Sequence, residues 1–221
     1  MNDTRIPARL TARRVGVLML SAFLLYGIGS MLATSAAGAE AAAAPDSGGA
    51  SPLLITGAVM MLLNSAAVIA IGVLMLPILR PRTPIIAVGY LATRFFEGVV
   101  LAIGVISLFL LSATAVAGNF VAYNVAMAGL GIGSLFFCVA LFRSRLVPRF
   151  LAVWGFVGYA SFALGCILEL LGFAGAGLVS TIPGGLFELF FAVWLIVKGF
   201  TPVATAAQTP PVARPAFASH S

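Results

Sequence analysis

Residues 84–111 read PIIAVGYLATRFFEGVVLAIGVISLFLL. A helix that crosses a bilayer takes about 20 mostly apolar residues, and this run exceeds that length. Arg94 and Glu97 are its only charged residues. Their spacing of three puts both on one face of a helix. An arginine at the bilayer centre costs roughly 2.5–3.5 kcal/mol on insertion scales. Such a residue is kept where it faces other helices and meets partners. The stretch therefore predicts a membrane helix bundle with a polar interior.

The rest of the chain agrees. Of its 221 residues 62% are hydrophobic and only 8% charged, against about 25% charged in soluble domains. The mean hydropathy is +1.15. A chain so poor in charge cannot cover a globule with polar surface and needs lipid as its solvent. A net charge of +6 would suggest a nucleic-acid partner in a soluble protein. Here the basic residues flank apolar segments, so they read as orientation signals and no nucleic-acid partner is expected. The sequence defines no protein partner and leaves homo-oligomers open.

Six apolar segments stand out, near residues 15–34, 53–79, 85–111, 122–142, 150–172 and 178–197. Each is too long and too evenly apolar for a barrel strand, so the expected fold is all-α, a polytopic bundle of six transmembrane helices. Arg5, Arg9, Arg13 and Arg14 precede the first segment, and Arg80 and Arg82 fill the second-to-third joint. Arg143, Arg145 and Arg149 fill the fourth-to-fifth joint, and Lys198 and Arg214 follow the sixth segment. The other three joints hold no Lys or Arg. That partition predicts both termini in the cytoplasm of a multi-pass protein of the bacterial inner membrane. Arg94 is the single basic residue outside it.

The expected organisation is a basic N-terminus over 1–14, a transmembrane domain over 15–199 and a disordered, Pro-rich tail over 200–221. The first outer joint, SAAGAEAAAAPDSGGASP at 35–52, is of low complexity and is expected to be flexible. The N-terminus also has signal-peptide features, but its apolar run is long for one and reads as a retained helix. The turns RPRTP and RSRLVPR look alike, and shared positive-inside pressure explains this more simply than a repeat.

Within the spans lie Arg94, Glu97, Glu169 and Glu188. At ~1.5 Å rise per residue, Arg94 and Glu188 reach the same depth near the midplane, with Glu97 slightly beyond. Glu169 falls near the outer end of helix five. Tyr90 joins the stripe of Arg94 and Glu97, and Asn64 is a further candidate for a polar interior. Glu188 stacks over Gly184, Gly185 and Thr181, and Glu169 lines up with Gly165, Gly158 and Gly155. Such glycine-lined faces favour close helix contact. The preferred reading of Arg94, Glu97 and Glu188 is an ion-pair clamp that fixes helix packing, with Glu188 the partner from outside helix three. The alternative is a proton-coupled or small-ligand transporter or binding protein using the same charges.

No metal, cofactor or enzymatic activity is expected. The single histidine, His220, cannot pair haem ligands within the bilayer, and no HExxH, Cys/His set or GxSxG elbow occurs. Cys138 and Cys166 read as small buried hydrophobes. Gly129 and Gly133 form a GxxxG read as ordinary helix packing. Tyr123, Trp154 and Trp194 suit interfacial belts.

Three motifs carry a family likeness: GYLATRFFEGVVLAIG at 89–104, LFRSRLVPRFLAVWGFVGY at 141–159 and PGGLFELFFAVWLIVKGF at 183–200. Together they resemble an uncharacterised bacterial membrane family, domain of unknown function four-three-eight-six. Arg94, Glu97, Ser144, Pro148, Glu188, Trp194, Lys198 and Gly199 match its pattern. The resemblance implies six helices and carries no activity with it.

The topology can be read with reporter fusions. Fusions after Pro45 and Gly118 should report as periplasmic and one after Arg145 as cytoplasmic. A cytoplasmic signal at Pro45 would overturn the assignment.

Overall fold

The computed structural model describes residues 5–42, 50–110 and 114–201. Six helices make up the fold: α1 (Arg5–Ala42), α2 (Pro52–Leu79), α3 (Pro84–Leu108), α4 (Ala115–Ser144), α5 (Arg149–Leu170) and α6 (Ala176–Val197). Each is long and apolar enough to cross a membrane. Among the described residues there is no strand.

Local chemistry sets the helix ends. Pro52 and Pro84 sit at the first positions of α2 and α3, where the missing N–H costs nothing. Ser51 caps α2, its Oγ accepting from the Leu54 amide at 3.2 Å. α6 runs unbroken through Pro183.

Three boundaries differ clearly from the sequence expectation, the first being that α1 begins at Arg5, ten residues before the apolar run does. α1 continues to Ala42, so residues 35–42 of the joint expected to be flexible are helical. Alanine is the strongest helix former, and Ala36 and Ala37 bury against α2. Residues 43–49 of that joint, and the tail beyond 201, lie outside the described residues. α4 begins seven residues before the apolar pattern does. Asn119 breaks that pattern, yet it is buried inside the bundle.

Each helix packs against its neighbours in sequence, and α1 also packs against α6, so the six close into a ring. At one end a Cβ on Gly199 would lie 3.8 Å from Ala12 and Arg9 of α1, and the large apolar cluster that fills the bundle includes Ala12, Leu79, Leu141 and Leu146. There the Thr201 amide also donates to the Leu146 carbonyl at 2.8 Å. This is the end where the arginine-containing joints gather. At the far end a second cluster joins Ala33, Leu54 and Leu108. The Ser51 amide donates to Glu40 Oε1 at 3.0 Å and ties α1 to α2 there. Large apolar side chains such as Met31, Ile85, Ile103 and Leu164 are exposed all round the ring. A surface of this kind is suited to lipid and not to water.

Glycines set how closely the helices approach. A Cβ on Gly57 would come within 2.6 Å of both the Gly29 carbonyl oxygen and the Ala33 amide of α1. Gly158 and Gly184 meet where α5 crosses α6, and Gly129 and Gly133 of the GxxxG face Phe96 and Thr93 of α3. The GxxxG thus serves packing within the chain.

The Gly57 contact gives a stability prediction. Gly57→Leu should lower the melting temperature of the detergent-solubilised protein, since overpacking costs about 1–3 kcal/mol. Gly89→Leu should not, because a Cβ there meets nothing within 4 Å. Equal melting temperatures for the two variants would contradict the packing described.

Candidate functional site

The stripe Tyr90, Arg94, Glu97 faces the middle of the ring, and all three residues are buried. Arg94 Nη1 donates to Glu97 Oε2 at 2.9 Å, and Arg94 Nε donates to the Tyr90 hydroxyl at 2.9 Å. The Tyr90 ring is fixed in turn by stacking on Phe137 of α4, centroids 4.2 Å apart. Gly72 of α2 makes room for the arginine stem, since a Cβ there would stand 2.9 Å from Arg94 Cβ. α3 thus holds the guanidinium with its own side chains, and its neighbours shape the slot.

Glu188 approaches from α6. It stands nine residues before the end of that helix, and Arg94 stands ten residues from the start of α3. The two helices run in opposite directions, so the residues meet at one depth. Glu188 Oε1 lies 3.7 Å from Arg94 Nη2 and accepts a hydrogen bond from the Tyr159 hydroxyl at 2.7 Å. Tyr159 was not among the residues singled out from the sequence. It stands ten residues into α5, and this match in depth with Arg94 is the signal that marks it.

The two carboxylates differ in their surroundings. The Glu97 side chain is 4% exposed and that of Glu188 15%. Both border a cavity of about 230 Å³ in the middle of the ring, lined by residues from all six helices. Arg94, Glu97 and Glu188 form its polar part, with Asn64 from α2 and Thr181 from α6. Tyr26 of α1 and Tyr123 of α4 stack across it, centroids 5.3 Å apart. Arg94 Nη2 is buried and has no hydrogen-bond partner. A contact of 3.7 Å to a carboxylate, at the charged edge of a mostly apolar cavity, leaves Nη2 open to a water or ligand atom from the cavity side.

Other expected site residues sort differently. Tyr90 and Asn64 join the interior. Glu169 stands apart: its Oε1 and Oε2 accept from the Gly175 and Gly177 amides at 3.1 and 2.8 Å. It caps the start of α6, where free N–H groups and the helix dipole favour a carboxylate. Tyr123, expected in an interfacial belt, lines the cavity instead. α4 starts earlier than the apolar pattern suggests, so Tyr123 lies two turns inside it. Trp154 packs on Phe187 and Phe190, and Trp194 on Phe150 and Phe190, along the α5–α6 face. Cys138 and Cys166 are buried and free.

Fold and site together define a polytopic, all-helical integral membrane protein with an ionic cluster at the centre of its bundle. The family model for the domain of unknown function DUF4386 matches residues 15–199, and the chain belongs to that family. No curated protein and no solved structure matches the chain.

The geometry predicts which pair matters for stability. Arg94→Leu strands the buried Glu97 and should destabilise the solubilised protein by about 1–2 kcal/mol, the range of polar contacts between membrane helices. Arg94→Leu/Glu97→Leu should recover more of that loss than Arg94→Leu/Glu188→Leu, which removes the longer and wetter contact. The reverse order in thermal melts would contradict this pairing.

Proposed function

We propose that the protein is a non-enzymatic small-ligand binding or transport protein of the bacterial inner membrane, with both termini cytoplasmic. In this reading the central cavity is the binding site and Glu188 is the most accessible of its three charged groups. The carrying observation is the cavity itself, with Arg94, Glu97 and Glu188 all in its lining and Arg94 Nη2 unbonded beside it. The cluster has one base and two acids. A net charge buried in a low dielectric is costly, so the site gains by taking up one proton or one cation. The gathering of the arginine-containing joints at one end supports the orientation.

The second reading is the helix-packing clamp. The Arg94–Glu188 pair favours it, since it links α3 to α6. The shorter contact, Arg94 to Glu97, lies within α3 and selects no helix partner. A clamp also has no use for space around it.

Cysteine labelling separates the two readings. In a Cys138→Ala/Cys166→Ala background, Val68→Cys and Thr181→Cys should react with a charged, water-soluble methanethiosulfonate. Only a hydrated thiol ionises to the reactive thiolate. Ile103→Cys, which faces lipid, should stay unmodified. Protection at both cavity positions would favour the clamp.

A further inference from the structure

The cavity is bordered by exposed residues of α1 as well as by the charged cluster. At the arginine-rich end the α1–α6 seam is tight. A Cβ on Gly16 would stand 2.5 Å from the Ala192 carbonyl oxygen and 2.7 Å from Ile196. Farther along, the Phe23 ring lies 3.4 Å from a Cβ built on Gly185. One turn beyond, at Gly27, a Cβ would meet nothing within 4 Å, and both Phe23 and Gly27 line the cavity while exposed on the outside of the ring. Gly27 lies about 20 Å along α1 from Arg14. That places this part of the seam inside a hydrocarbon layer roughly 30 Å thick, so it faces lipid chains.

The lining is suited to one kind of guest. Its walls are aliphatic and aromatic, with Phe23, Tyr26, Tyr123 and Phe162 among the lining residues, and aromatic rings attract cations. Its floor holds an excess carboxylate. Glu97 is taken by Arg94 in a bond of 2.9 Å, whereas Glu188 holds only the Tyr159 hydroxyl and a looser contact to Arg94. Resting on the reading of this cavity as a ligand site, we infer that it takes a lipophilic monocation, an organic ammonium with an apolar body. The ligand enters from the bilayer through the α1–α6 seam and sets its charge against Glu188. An anion would meet Glu97 and Glu188 as well as Arg94, and a neutral apolar molecule would leave Glu188 with only the 3.7 Å contact to an arginine that Glu97 already holds at 2.9 Å.

The test uses the full chain in lipid nanodiscs and labelled benzyltrimethylammonium, with neopentylbenzene as the uncharged molecule of the same shape. Unlabelled benzyltrimethylammonium should compete at least about tenfold better than neopentylbenzene, a modest demand for a charge–carboxylate and cation–π contact. Glu188→Gln should remove that preference. Gly27→Leu, which fills open space without touching the cluster, should slow association by about tenfold and leave the melting temperature unchanged. Equal competition by the two molecules would overturn the cation assignment and leave a ligand cavity standing. No binding of the cation, with Val68→Cys and Thr181→Cys still labelled, would also overturn it. No binding with both cysteines protected would remove the cavity reading as well.

Discussion

A guanidinium in hydrocarbon must be met by acceptors, and much of this bundle is arranged around that demand. Arg94 cannot reach water at either face from the middle of α3. Its own helix supplies two acceptors, the Tyr90 hydroxyl and Glu97, each at 2.9 Å. The nitrogen they leave over, Nη2, lies 3.7 Å from Glu188 of α6, an ion pair without a hydrogen bond. Satisfying one charge locally and leaving part of it free is costly for a purely structural contact. It is a suitable arrangement for a site that receives something.

Packing makes the arrangement possible. Without a hydrophobic force between helices in lipid, small residues bring backbones together. Gly72 admits the arginine stem, and Gly98 brings α3 to within 2.8 Å of the Ser65 carbonyl oxygen of α2, measured to a built Cβ. Gly155 and Gly158 let Phe187 and Gly184 of α6 close on α5, which sets Glu188 beside Tyr159. The ring is therefore tight where the charges are fixed. At Gly27 of α1, which borders the cavity, a Cβ would meet nothing within 4 Å.

Much of this was legible in the sequence, and the reasons are physical. Spans follow from hydropathy because lipid forbids unpaired backbone. The meeting of Arg94 and Glu188 follows from counting residues along antiparallel helices of fixed rise. Glu169 was harder. Its glycine-lined face packs on α6, but the need of α6 for a cap depends on the Gly172–Gly175 turn, where both glycines have positive φ. Tyr159 carries no charge and drew no notice, although a hydroxyl at that depth needs an acceptor. The cavity could not be read at all. It is space left by six helices together, and no single helix encodes it.

The central claim is that the Arg94–Glu188 contact borders an occupied cavity. An experimental density map of the protein in nanodiscs, sharp enough to show ordered water, tests it most directly. The account predicts non-protein density within hydrogen-bonding distance of Arg94 Nη2 and Glu188, continuous with an open seam at Gly27. A direct Arg94–Glu188 hydrogen bond, with the cavity closed around it and no density between, would contradict it.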